Sequence, residues 1–215
     1  MLTCQCPAAA ALPDVPNVQC SESFGQIQKI AFQRLRKADG EKNSFTTEAA
    51  ITALASWEAK MTAKDGGKIV ITPFVYAPAD SGGEARMTGG GNDDLGGIPD
   101  VLGSEPVQHT SQLRGVPQDV VKALKSLICE ANAGNIGVYL FDENGNIEAI
   151  QDEKTATTYY PIPVRALFFG DKIHGNYDAK DSNVISWYYQ EGYSDNLAII
   201  KPEFNPLTDL QNAKA

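Results

Sequence analysis

Histidine is nearly absent from this chain. His109 and His174 are the only two in 215 residues, and each reads as part of a polar turn. Neither "HTS" nor "IHGNYD" fits a nucleophile elbow or a metallohydrolase pattern, so no catalytic residue is assigned and enzymatic activity is not expected. No apolar run approaches the ~20 residues that a membrane helix needs, and no membrane partner is expected. The N-terminus, "MLTCQCPAAAALPDVP", lacks a basic n-region and its alanine run is broken by proline. A signal peptide is therefore not expected, and the chain should be made and kept in a cytoplasm. Basic charge is also in deficit: 18 Lys and Arg stand against 27 Asp and Glu, a net charge of −9. Sequence-independent nucleic-acid binding draws its affinity from Lys and Arg on phosphates, so it is disfavoured. A surface past which nucleic acid slides without sticking stays open.

Cysteine is sparse as well. Cys4, Cys6, Cys20 and Cys129 do not form the two close pairs of a structural zinc site. Cys129 falls in a helical pattern, and the three N-terminal cysteines are expected to be free thiols in a reducing compartment. The glycine-rich stretch 79–104 has no lysine followed by Ser or Thr, which excludes a Walker A loop. Gly89, Gly90 and Gly91 are not followed by the third glycine and helix start of a dinucleotide fingerprint. No cofactor and no metal are expected.

What is present is an ordinary globular composition, 42% hydrophobic, with 19 glycines and 12 prolines that imply many turns. A chain of this size buries roughly 70–75% of its unfolded surface, enough for a real core. Residues 1–23, with Pro7, Pro13 and Pro16, read as an extended arm. "GQIQKIAFQRL" (25–35) reads as a strand with a polar, glutamine-rich edge. "TTEAAITALASWEAKMTA" carries Ile51, Leu54, Ala55, Trp57 and Met61 at helical spacing, and "KIVITPFVYAP" is a strand.

The segment 79–104 has the look of a long loop without a core of its own, the kind that is functional or disordered. Helix 117–133 starts at Pro117, shows one apolar face from Val120 to Ala131 and stops at Gly134. "NIGVYLFDENGNIEAIQ" is a hairpin turning at Asn144-Gly145. Within it Asp142, Asn144, Asn146 and Glu153 match positions one, three, five and twelve of a calcium loop. Position six is Ile147, where the loop needs glycine. Strands follow in "YYPIPVRALFFGDK", "SNVISWYYQEG" and "NLAIIKPEF", and the tail 206–215 looks peripheral. In "SWYYQEGY", Trp187 and Tyr189 share one strand face and Tyr188 takes the other. Core packing is the plain reading, and an interface or a glycan contact is the other. The chain is thus α+β, mainly β, with two helices, a glycine-rich excursion and an arm.

The segments "FGQIQKIAFQRL", "KIVITPF", "GGGNDDLGGI", "SQLRGVPQDVVKALKSL", "GVYLFDENGNIEAI", "YYPIPV" and "YSDNLAIIKPEFNPLTDL" together resemble a family of virion proteins of tailed phages and prophages of gut Bacteroidota, crAss-like phages included. The likeness runs in order along nearly the whole chain and contains no catalytic signature. It implies a fold similar to tail-tube proteins: a β-sandwich or barrel (residues 24–205), a flanking helix and a long loop (79–104) that reaches a neighbour. The resemblance further implies a homo-oligomeric ring, six- or twelvefold, in the tail or head-tail connector of a virion. Adjoining ring, portal or tail proteins would be its partners, and genomic DNA would pass without specific binding. Subunit contacts are then expected at Gln26, Gln28, Lys29 and Arg34 on the first strand, at Gly82, Gly83, Arg86, Gly90 and Asn92 on the loop, and at Trp187. The alternative is a host-surface glycan-binding module using Trp187, Tyr188, Tyr189 and Tyr193.

Overall fold

A computed structural model describes residues 23–93 and 95–212. The expected arm up to residue 22, with Cys4, Cys6 and Cys20, lies outside the described residues. Asp94 and 213–215 do too. The chain divides into two compact units: one contains residues 82–105, and the other is formed by 24–81 with 106–215.

The larger unit begins with β1 (Ile27–Arg34), α1 (Glu48–Thr52), α2 (Leu54–Thr62), β2 (Ile69–Ile71) and β3 (Val75–Ser81). The smaller unit holds β4 (Ala85–Thr88) and β5 (Asp100–Ser104). The larger unit resumes with β6 (Gln108–Arg114), α3 (Gln118–Lys125), α4 (Leu127–Asn132), β7 (Ile136–Asp142), β8 (Ile147–Gln151) and β9 (Tyr159–Tyr160). It closes with β10 (Ile162–Phe169), β11 (Ser182–Tyr189), β12 (Leu197–Ile200) and α5 (Pro206–Asp209). The class is α+β with a large antiparallel sheet, ordered β12-β8-β7-β10-β11-β6-β3. β1 pairs with both β7 and β2, and β9 pairs with β8.

The sheet curls because β10 changes partners along its length. Ile162 and Pro163 pair with β7, whereas the rest of the strand pairs with β11. A register shift between Arg165 and Phe168 coincides with a left-handed Ala166 (φ 51°), the irregularity that bends a strand out of one layer into another. β3 thereby returns beside β1. The enclosed core takes Ile30, Phe32, Val138 and Leu140 from one side and Leu113, Ile185 and Trp187 from the other, closed by Val121, Leu124 and Ala131 of α3 and α4. Phe32 meets the rings of Phe169 and Trp187 edge-on at 5.9 and 6.2 Å.

A second core lies on the other face of β1, β7 and β8. There Ala31, Tyr139, Phe141 and Ile147 pack with Ile51 and Trp57 of the α1–α2 segment and with Leu210. β7 is consequently buried at all seven positions, which is why "IGVYLFD" has no polar alternation.

Several sequence expectations need correction. The segment 46–63 is two helices, not one, broken at Ala53 (φ −92°, ψ 127°). The break frees two helix carbonyls: Ile51 O accepts from Trp57 Nε1–H at 2.8 Å, and Thr52 O accepts from the Glu203 N–H at 3.0 Å. Pro73 lies between β2 and β3, so "KIVITPFVYAP" is two strands. β1 is an interior strand with neighbours on both sides, not an edge. The C-terminal tail is not peripheral through residue 212. Leu210 is fully buried, and the Asn212 side chain accepts from Ile71 N–H (3.3 Å) and donates to Ile71 O (2.5 Å), filling the place of a strand neighbour on β2.

Candidate assembly surface

Residues 82–105 form a two-stranded ribbon where the sequence suggested a structureless loop. Ala85 pairs with Ser104, Arg86 with Gly103, Met87 with Val101 and Thr88 with Asp100. At the ribbon base, Glu105 N–H donates to Glu84 O at 2.7 Å. The tip turns through two short 3₁₀ segments, Gly91–Asp93 and Leu95–Gly97. There Gly91 and Gly96 have φ of 66° and 79°, a backbone region that side chains with a Cβ avoid. An isolated pair of strands is marginally stable in water at best. This one also presents its apolar side chains outward: Met87 is 59% exposed, Leu95 103%, Ile98 73%, Val101 63% and Leu102 61%. Met87 and Val101 stand opposite each other, so they share a ribbon face.

The expected contact residues separate into three groups. Gly82, Gly83, Arg86 and Asn92 are exposed and Gly90 is half-exposed, all on the ribbon. Gln26 is exposed and Gln28 half-buried at the start of β1, while Arg34 at its end is exposed and holds Glu130 at 2.5 Å. Lys29 and Trp187 are the corrections, because neither has surface to offer a neighbour. Lys29 is buried and donates through Nζ to Leu207 O (2.6 Å) and Leu210 O (3.2 Å), and burial lowers its pKa. Trp187 is fully buried, stacked on His109 with ring centroids 4.2 Å apart. Of the four aromatics of the glycan reading, Tyr189 is buried too, Tyr193 is half-buried and Tyr188 is 38% exposed.

His109 is not in a turn. It lies on β6, fully buried, with Nδ1 2.6 Å from Asp80 Oδ1 and with Nε2 lacking a partner. Ser111, two residues on and also inward-facing, has a buried hydroxyl without a partner. The small cavity beside His109, about 160 Å³, is lined by Gly25–Ile27, Pro78–Asp80 and His109, and Ser111 does not reach it. Asp80 and His109 thus meet beside this cavity, but Ser111 does not line it. Glu148 has its pKa raised to about 7, first by burial and then by the carboxylates of Asp80 and Asp142.

The calcium-like hairpin is accounted for by a turn. Asp142 is fully buried, and its carboxylate accepts from the N–H groups of Gly25 (3.0 Å), Asn144 (2.9 Å) and Asn146 (2.7 Å). Asn146 Nδ2 supplies a fourth bond at 2.8 Å.

A feature that the sequence reading missed is an open groove of about 930 Å³ between α2 and α3, reaching β2 and the C-terminal segment. Val70, Val120 and Leu127 form its floor as half-buried extensions of the first core. Exposed alanines form its walls, with Ala55 and Ala59 one turn apart on α2 and Ala123 on α3. Ala55 falls in the helical spacing of the sequence but is exposed on the groove instead of buried, and Ala59 and Ala123 lie outside any apolar stripe.

No family model and no curated protein matches the chain. Among solved structures, a chain in the tail of an empty gene transfer agent particle, with C6 symmetry, matches at 10% identity over 59% of this chain and 86% of its own, with a TM-score of 0.32. A chain in the virion of a native gene transfer agent particle matches at 9% identity over 57% and 80%, TM-score 0.29. A chain in the baseplate of the anti-feeding prophage matches at 8% identity over 86% and 99%, TM-score 0.33. Scores of this size do not define a shared fold.

Proposed function

We propose that this chain is a structural virion protein of a tailed phage, which assembles with copies of itself into a ring of the tail or head-tail connector and lines a passage for the genome. The observation that carries the reading is the ribbon 82–105, a separate unit that turns five large apolar side chains to solvent. Such surface is normally covered by a partner. The ordered likeness of the sequence segments to phage virion proteins supports the same class, and the −9 net charge suits a conduit in which bound phosphates would arrest transit. The mechanism is complementation: the ribbon, together with residues 1–23, docks on neighbouring subunits. Ring copy number, six or twelve, and contacts to portal or tail proteins belong to the same proposal. So does the location in the virion, and no catalytic step is part of it.

The test is excision of the ribbon. Ser81 and Gln108 lie opposite each other in the β3–β6 ladder, so a short turn can join the two strands once 82–105 are removed. Wild-type protein should show rings or stacked tubes in negative-stain images and a matching mass in solution. The excised protein should keep its circular dichroism spectrum and stay monomeric. Rings formed equally well without the ribbon would overturn complementation.

A further inference from the structure

We propose that the outward face of the β10-β11-β6-β3 sheet is the seat for the ribbon of a second copy of this chain, with acids of the ribbon against Arg114 and Arg165. The proposal rests on the assembly reading above and names the acceptor that this reading leaves open.

Strand register defines this face. Side chains directly opposite each other in an antiparallel pair stand on the same side. Tyr188 is opposite both Arg165 and Gln108, Phe168 is opposite Ser186, and Gln112 is opposite both Val184 and Tyr76. The alternate positions on β6, His109, Ser111 and Leu113, are buried, so this set points outward. In a chain with 27 acids, no carboxylate occupies an outward position on the four strands. Asp80, the acid on β3, is opposite His109 and turns its carboxylate to that buried ring. Besides Gln, Thr and Ser, the face carries three exposed aromatics: Phe168 at 54%, Tyr76 at 43% and Tyr188 at 38%. Arg114 lies over Tyr76, 5.0 Å from guanidinium carbon to ring centroid, which sets its charge on the same side.

The ribbon has the opposite sign and the same need for apolar cover. Residues 82–105 hold Glu84, Asp93, Asp94, Asp100 and Glu105 against Arg86, a net charge of −4, beside the exposed Met87 and Val101. Charge then decides among the possible contacts. Ribbon on ribbon brings acid to acid, and face on face brings arginine to arginine, so both like-with-like contacts are repelled. Ribbon on face matches charge and removes apolar area from water on both sides. The groove between α2 and α3 is rejected on the same ground, because its rim carries Glu58, Asp119 and Asp209 against Lys68. The exposed Arg36, Lys42, Lys64 and Lys68 have the right sign. No large apolar side chain is exposed between residues 34 and 68, however, so nothing there covers Met87 and Val101. A ribbon laid on the sheet is face-to-face sheet packing, with layers about 10 Å apart. Ribbon and face are different patches of one chain, so the contact runs head to tail, the kind that closes rings.

The experiment uses full-length chains in which Cys4, Cys6, Cys20 and Cys129 are replaced by serine. One protein then carries Met87→Cys, a second carries Thr110→Cys in the middle of the face, and a third carries Ala59→Cys in the groove. Circular dichroism checks that each variant is folded. The first protein is mixed with the second or the third under assembly conditions and oxidised, so a disulfide between the two positions joins two copies. Mass spectrometry should find positions 87 and 110 linked, and positions 87 and 59 not linked. Arg114→Glu with Arg165→Glu in the second protein should abolish the link, and Glu84→Lys with Asp100→Lys in the first should restore it. Assembled particles without the link, or with a link that charge reversal leaves unchanged, would overturn the seat and leave the assembly reading standing. A chain carrying both Met87→Cys and Thr110→Cys that closes the disulfide within a monomer would overturn it in favour of the chain's own ribbon. No association at any concentration would overturn both.

Discussion

Lys29 Nζ donates to the carbonyl oxygens of Leu207 and Leu210 at 2.6 and 3.2 Å, fastening the C-terminal segment across the sheet from the middle of β1. Phe74 lies over the same ammonium, 4.8 Å from ring centroid to Nζ. Lys29→Met keeps most of the length of the side chain and removes the donors. The expected cost is about 2–3 kcal/mol in urea unfolding, because two carbonyls lose a charged partner while staying largely out of water. A loss below ~0.5 kcal/mol would show that Leu210 and Asn212 hold the segment unaided.

Burial also separates core packing from a glycan contact in "SWYYQEGY", since Trp187 is fully buried and Tyr188 is not. Trp187→Ala opens a cavity among Phe32, His109 and Tyr189 and should cost about 3–5 kcal/mol. Tyr188→Ala, on the opposite face, should stay within about 1 kcal/mol. Thermal unfolding of both variants decides the matter. A glycan contact made by Trp187 would require the reverse: an unchanged Tm with lost binding.

Glu148 makes stability depend on pH in a stated direction. Its folded pKa of about 7 lies above the ordinary carboxylate value, so the folded state holds a proton that the unfolded state gives up. The contribution is therefore complete below the unfolded pKa and is lost as pH rises through about 7. Glu148→Gln keeps the neutral form at every pH. It should remove the decline between pH 5 and pH 8 and raise stability at pH 8 by roughly 1–2 kcal/mol, after discounting for partial solvent screening. Equal slopes for wild type and variant in denaturant midpoints across that range would show that Glu148 is ionised throughout.

Much of the main body was legible because its strands obey simple patterns. β7, β10 and β11 are rich in β-branched and aromatic residues, and Asn144-Gly145 marks the turn of a hairpin. β6 was not legible. Its inward set is His109, Ser111 and Leu113, so the apolar half of the alternation is mostly polar and the strand reads as a turn. Lys29 misled for a related reason. A basic residue between Ile27 and Ile30 suggests a strand edge facing solvent, yet its ammonium is satisfied by carbonyls some 180 residues away in the chain. The glycine-rich ribbon was read as loop because Gly and Asp carry no strand preference, and pairing across the tip was visible only in register. The groove depends on which helix faces converge, which no single segment encodes.

Asp142 offers the sharpest contrast between a turn and a metal loop. Both of its oxygens are occupied by N–H donors: Oδ1 by Asn144 and Asn146 backbone, Oδ2 by Gly25 backbone and the Asn146 side chain. A cation approaching this carboxylate would meet those hydrogens first. Glu153, the residue at the twelfth loop position, instead accepts from Asn196 Nδ2 at 3.0 Å. Asp142→Asn sets an NH₂ group against donors on one side of the turn, at a cost of about 1–3 kcal/mol. Calcium and a chelator should each leave the wild-type Tm unchanged in differential scanning fluorimetry. A calcium-dependent rise in Tm that disappears in Asp142→Asn would instead establish a cation site at this hairpin.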